Sequence, residues 1–286
     1  MIKRLFATGK IAALLALSCL LVQGAGASLA QTVLLNLGDG VHGRAQYHAG
    51  RSDRPVVLFV HDFLAAPSAP VVDALARRLD RDGVALLVPT LSLGIVARRD
   101  PLACEAIHTH IFEQDLVELR QWVDWLLGKG RTRIVLVGLR YGGWQAVALA
   151  GQLLSPAVQA VIMISPQTPP PSDADLPALR SAAAAGARDL MRQPVWHCPS
   201  YVGPADSIYS YVNWDAAKLM QAVKRSTVAV RAIVGGRDKR LDAGWRTRLD
   251  EAGALVQLVP DATSFRDPRH LGSLLELIVA SLIIEG

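Results

Sequence analysis

Val56-Val57-Leu58-Phe59-Val60 sets five apolar residues side by side, with no polar position to turn toward water. A strand with one wet face alternates apolar and polar residues, so an unbroken run suits a strand covered on both faces. Comparable runs follow at 84–88, 133–137 and 158–164, and two more strand-like segments lie at 226–236 and 254–259. Between them, apolar residues recur at helical spacing. Val72, Leu75, Ala76 and Leu79 form one such face, and Leu116, Leu119, Val123 and Leu126 another, closed by Gly128-Lys129-Gly130. A helix after the 133–137 run, one near 242–251 and a strongly apolar one at 271–284 complete the set. At the start, 32–37 and 42–48 flank Gly38-Asp39-Gly40 and predict an N-terminal hairpin. Strand and helix in alternation imply an α/β fold, with a mostly parallel central sheet and helices on both faces.

The alternation breaks between Pro166 and Arg225. Thr168-Pro169-Pro170-Pro171 opens this stretch and an alanine-rich helix is expected at 178–191. An irregular loop carrying Trp196, His197, Cys198, Tyr201, Tyr209, Tyr211 and Trp214 should follow. The stretch reads as a lid-like insertion, about 167–225, on a single domain spanning 31–286.

Residues 1–30 read as a signal peptide. Lys3, Arg4 and Lys10 make a basic start, 11–22 is apolar, and Ala25-Gly26-Ala27 or Ser28-Leu29-Ala30 supplies the small residues of a cleavage site. Cleavage after Ala30 is the expectation, which makes the protein exported, periplasmic or secreted. The apolar stretch is short for a membrane span, and an uncleaved anchor is the alternative. Membrane contact is therefore expected only through the leader. Cys19 has Ala16 three residues before it, where a lipoprotein signal wants leucine.

Without the leader's three basic residues the chain holds 27 Lys and Arg against 25 Asp and Glu, a net charge of +2. The sequence pI of 9.3 includes the leader and does not point to nucleic acid. Cys104 and Cys198 are the two cysteines left, and an oxidising compartment makes one disulfide between them an expectation.

Gly138-Leu139-Arg140-Tyr141-Gly142 joins the 133–137 strand to the helix after it. It has the outline of a nucleophile elbow, Gly-x-Ser-x-Gly, with arginine in the serine position. The glycines fit a strand-to-helix turn too sharp for side chains. A guanidinium stays protonated and cannot attack a carbonyl.

Over nearly the whole mature length the chain resembles the α/β-hydrolase family. The matching pieces are the 56–63 segment ending His61-Asp62-Phe63, the elbow, Gly235-Gly236-Arg237-Asp238, and Val259-Pro260-Asp261-Ala262-Thr263-Ser264-Phe265. The first piece usually reads His-Gly after its strand, and its loop donates an oxyanion N–H; here Asp62 replaces the glycine. The resemblance puts Asp238 at the triad acid and Ser264 at the triad histidine. The triad is thus degenerate at Arg140 and Ser264, and losing either member of such a unit costs about a millionfold in turnover.

Together with the leader, the resemblance implies an exported pseudohydrolase with a binding or scaffold role, with His61, Asp62, Arg140, Tyr141 and Asp238 around the former site. Asp238 is the expected partner of Arg140, with Asp62 and Asp261 competing for it. A small anionic ligand or a protein partner is expected, and no cofactor. Two alternatives stand beside this one. Ser165 or Ser92 could serve as a relocated nucleophile with His61 as its base. Cys104, His108 and His110, joined by His197 and Cys198, could form a metal or redox site.

Overall fold

The computed structural model describes residues 30–283 apart from 68–69, 153–154, 170–173, 243, 264 and 266. The leader and Ser264 thus lie outside the described residues. The chain opens with β1 (Gln31–Gly38) and β2 (Val41–His48), then β3 (Val56–Val60), α1 (Pro70–Arg81), β4 (Ala85–Thr90) and α2 (Phe112–Gly128). The centre follows as β5 (Ile134–Leu139), α3 (Tyr141–Ala150) and β6 (Val158–Ile164). An insertion holds α4 (Leu176–Ala184), β7 (Met191–Val195), β8 (Cys198–Gly203), α5 (Ala205–Val212) and α6 (Ala216–Arg225). The chain closes with β9 (Ala229–Gly235), α7 (Trp245–Glu251), β10 (Leu255–Val259) and α8 (Pro268–Ile283).

Eight strands form one sheet in the order β1-β2-β4-β3-β5-β6-β9-β10. The first two strands run antiparallel, and β4, β3, β5, β6, β9 and β10 are mutually parallel. The unbroken apolar runs land in the middle, where every residue of β3 and β4 is buried. One apolar core lies under α1 and α8, through Leu75, Leu79, Leu274 and Ile278. The other packs α2, α3 and α7 on the opposite face, through Leu119, Trp122, Trp144 and Trp245. Fully burying a side chain of this size contributes about 1.5–3 kcal/mol, so the two layers fix the sheet between them. Among the described residues no helix is long and apolar enough to cross a membrane.

The insertion is more regular than its sequence suggests. The helix expected at 178–191 stops at Ala184, and Gly186 turns the chain at a φ of 68°. The expected aromatic loop is a hairpin followed by two helices: Tyr201 lies on β8, and Tyr209 and Tyr211 on α5. Pro194 and Pro199 hid the strands, because proline is excluded from central strands. This hairpin is a two-stranded sheet with one bridge, from Val202 to Ile107, so Pro194 and Pro199 lie where no further strand pairs and proline is tolerated.

Candidate functional site

β5 ends at Leu139 and α3 starts at Tyr141, which leaves Arg140 alone at the turn with φ 53° and ψ −114°. A non-glycine residue held there costs of order 1–3 kcal/mol, so the surroundings must enforce it. They do so through close approach. A Cβ on Gly142 would stand 2.1 Å from the His61 carbonyl oxygen, and one on Gly138 would stand 2.3 Å from that of Gly142. The Arg140 N–H donates to the Ile164 carbonyl at 2.8 Å, tying the turn to β6. The elbow is intact, with a guanidinium at its apex.

That guanidinium meets Asp62. Arg140 Nη1 donates to Asp62 Oδ2 at 2.9 Å, and the two side chains are 14% and 12% exposed. The other carboxylate oxygen, Oδ1, accepts the Phe63 N–H at 2.9 Å and the Tyr141 N–H at 3.4 Å. In a hydrolase elbow the N–H after the nucleophile and an N–H from the loop after the third strand together make the oxyanion hole. Here a carboxylate oxygen of the chain itself sits on both donors. The negative charge such a hole stabilises in the transition state is already present.

The expected Arg140–Asp238 pair does not form. Asp238 accepts Arg240 Nε at 2.7 Å and Nη2 at 2.5 Å, and Ser165 Oγ at 3.3 Å. A partner two residues away closes almost no loop, so the local fork holds Asp238. Asp261 is engaged by Arg237 at 3.0 Å. Asp62 is left to Arg140.

Among the described residues the His61 ring makes no hydrogen bond or ring contact with Arg140, Asp62 or Tyr141. It packs 5.7 Å from Phe59, its Nε2 is buried without a hydrogen-bond partner, and burial pushes its pKa down to about 3. An imidazole that resists protonation so strongly is a poor base for Ser165 or Ser92. His197 stands at the site instead, at the turn of the β7–β8 hairpin, with its ring 5.8 Å from both Tyr141 and Phe63. It reaches solvent at its rim, yet loss of water around the ring lowers its pKa, with Asp62 and Arg140 acting on it in opposite senses. Beside it Trp196 lies flat on Tyr141, ring centroids 4.6 Å apart and planes 2° from parallel. Trp196 holds a φ of 50° in a two-residue hairpin turn, where glycine is usual. Trp196 and Tyr141 are both buried, so this stack fills space next to the elbow.

Cys104 and Cys198 form a disulfide with Cα atoms 5.4 Å apart, which clamps the hairpin turn to the chain ahead of α2. The metal set Cys104, His108 and His110 does not assemble. His108 Nε2 lies 3.0 Å from the Ala103 carbonyl oxygen, and His110 Nδ1 lies 2.6 Å from the Tyr211 hydroxyl. Cys104, His197 and Cys198 have ligand atoms within 4.8 Å of one another, but both sulfurs are spent in the disulfide.

His110 belongs to a buried polar network that the sequence reading missed. The Tyr211 hydroxyl donates to Asp115 Oδ2 at 2.6 Å, and Gln145 Nε2 donates to the same oxygen at 2.9 Å. Burial raises the Asp115 pKa to about 8 and pushes Glu118 upward, while it lowers His110 to about 3. A signal existed: Asp115 and Glu118 share the apolar face of α2 with Trp122. Ser92 lines a cavity of about 280 Å³ with His110, Asp115 and Glu118, and its N–H donates to Glu118 Oε2 at 2.8 Å.

No family model matches the chain, and no curated protein matches its sequence. Solved structures do match. Est1E from Butyrivibrio proteoclasticus superposes with a TM-score of 0.64 at 16% identity, covering 89% of this chain and 98% of that one. The α/β hydrolase GrgF from Penicillium sp. sh18 gives a TM-score of 0.68 at 13% identity, over 90% and 99% of the two chains. A thioesterase domain from the curacin biosynthetic pathway gives 0.63 at 14% identity, over 88% and 99%. At these identities the likeness establishes the architecture and not the chemistry. The chain has the α/β-hydrolase fold.

Proposed function

We propose that this chain is an exported, catalytically inactive member of the hydrolase architecture whose role is binding or scaffolding. The observation that carries this reading is the Asp62 carboxylate seated on the Phe63 and Tyr141 N–H groups and held by Arg140. It removes two requirements of acyl transfer at once. The elbow has no nucleophile, and the donors that would stabilise an oxyanion already hold a charge of the same sign. A carboxylate or phosphate on a small ligand is the chemistry that would compete with Asp62 for the Arg140 guanidinium, with His197 at the rim.

The test is turnover of short-chain nitrophenyl esters together with labelling by a fluorophosphonate. The protein from Gln31 onward is expected to show neither above buffer. Labelling at Ser92, which shares a cavity with His110, or at Ser165, which donates to Asp238, would instead establish a relocated nucleophile.

A further inference from the structure

The sheet has a second end. Opposite the Arg140 turn, the segments leading into β3, β4 and β5 meet the last turns of α1 and α8 around a cavity of about 770 Å³. Five of its lining residues are arginines: Arg51, Arg54, Arg78, Arg81 and Arg133. Asp80 and Asp82 are the acids of the lining, and Val279 and Leu282 of α8 add an apolar wall. Arg51 pairs with Asp53, and Arg78 with Asp82 and Glu276. The Arg133 guanidinium rests on the Asp53 carbonyl. Arg54 and Arg81 are exposed, and among the described residues their guanidinium groups make no hydrogen bond or ion pair. Five arginines thus face four carboxylates, Asp53, Asp80, Asp82 and Glu276, with Arg54 and Arg81 outside the hydrogen-bonded pairs, on a mature chain whose net charge is only +2.

The start of the folded chain lies at this same end. Gln31 pairs with Tyr47, and Tyr47 pairs with Leu87 two residues into β4. β1 is therefore two strands from β4, about 10 Å across the sheet, and begins at the edge that bears the groove. The thirty residues ahead of Gln31 carry three basic side chains and a long apolar run.

We propose that this arginine groove docks the folded domain on an anionic phospholipid bilayer. A bilayer carrying acidic lipids attracts basic side chains held within a Debye length of its surface, each adding about a fivefold gain in binding. The leader joins the domain at this edge, so, resting on the export proposed above, the segment that meets a membrane delivers this face to it. The sequence pointed to membrane contact through the leader alone; the groove gives the folded domain a contact of its own. It does not depend on whether the Arg140 end is catalytic.

The protein from Gln31 onward contains every described strand and helix, so it is the material to test. It is sedimented with vesicles of phosphatidylcholine alone and with vesicles that also contain phosphatidylglycerol. Binding is expected only with phosphatidylglycerol, and it should fall as salt is raised. Arg54→Gln with Arg81→Gln should weaken it about thirtyfold, and each single change about fivefold. Arg188→Gln with Arg237→Gln removes two exposed charges outside the groove and should leave binding at the wild-type level. Three results would overturn the proposal: no sedimentation with acidic vesicles, equal loss in the two double variants, or abolition by inorganic phosphate at constant ionic strength. The last would make the groove a site for a soluble anion.

Discussion

Asp62 and Arg140 neutralise each other in a setting that neither can leave cheaply. Removing one partner of a largely buried pair strands the other, whereas removing both trades a charge pair for ordinary packing. Asp62→Ala should therefore destabilise the protein by about 2–4 kcal/mol in urea unfolding. Asp62→Ala combined with Arg140→Ala should cost less than the single change, a coupling that a double-mutant cycle reads directly. A double variant less stable than Asp62→Ala would mean the pair is not what holds this turn. Arg140→Ser alone should restore no esterase activity, because Asp62 still occupies the Phe63 and Tyr141 donors. The elbow and the arginine at its apex are legible in 138–142, since they follow from residue types in a fixed order. The partner of Arg140 is not. Three aspartates stood within plausible reach, and the choice turned on Arg240 and Arg237, whose pairings depend on loop geometry.

Among the elements, the central strands were the easiest to read and the insertion the hardest. A strand buried on both faces must be apolar throughout, so β3, β5 and β6 declare themselves. The β7–β8 hairpin carries a proline in each strand and a tryptophan at its turn, and none of these is a strand signal. Its order comes from outside the hairpin, through the disulfide and the Trp196–Tyr141 stack. The cross-linked residues lie 94 positions apart, a separation at which a disulfide typically contributes about 2–5 kcal/mol. Cys104→Ser with Cys198→Ser should lower stability by that amount in chemical unfolding. It should also make the hairpin turn cleavable by protease before the sheet unfolds. Protection of 191–203 equal to that of the sheet in the cysteine-free protein would assign the hairpin's order to its aromatic contacts alone.

For the molecule as a whole, the buried titratable groups set a pH optimum. His61 and His110 are held near 3, below the ordinary 6.5, so the stability they confer is complete above pH 6.5 and drains away as pH falls toward 3. Asp115 is raised from 3.8 to about 8, so its contribution has the opposite sign and stability is lost as pH climbs through that window. Glu118 shifts in the same direction as Asp115. Between pH 4 and 6.5 the two effects oppose each other. From 6.5 to 8 Asp115 acts without that opposition, at about 1.4 kcal/mol per pH unit. Thermal stability should therefore be higher at pH 6.5 than at pH 8, and Asp115→Asn should flatten that fall. A flat wild-type profile across this interval would mean that Asp115 is ionised in the folded state. The disulfide has a further consequence, one of timing. At ribosomal rates the 94 positions from one cysteine to the other take about 5–20 s to make, so Cys104 emerges long before its partner. During that interval the only other cysteine in existence is Cys19, in the leader. A thiol probe applied to partly made chains should mark Cys104, while the bridged protein from Gln31 onward leaves it nothing to mark.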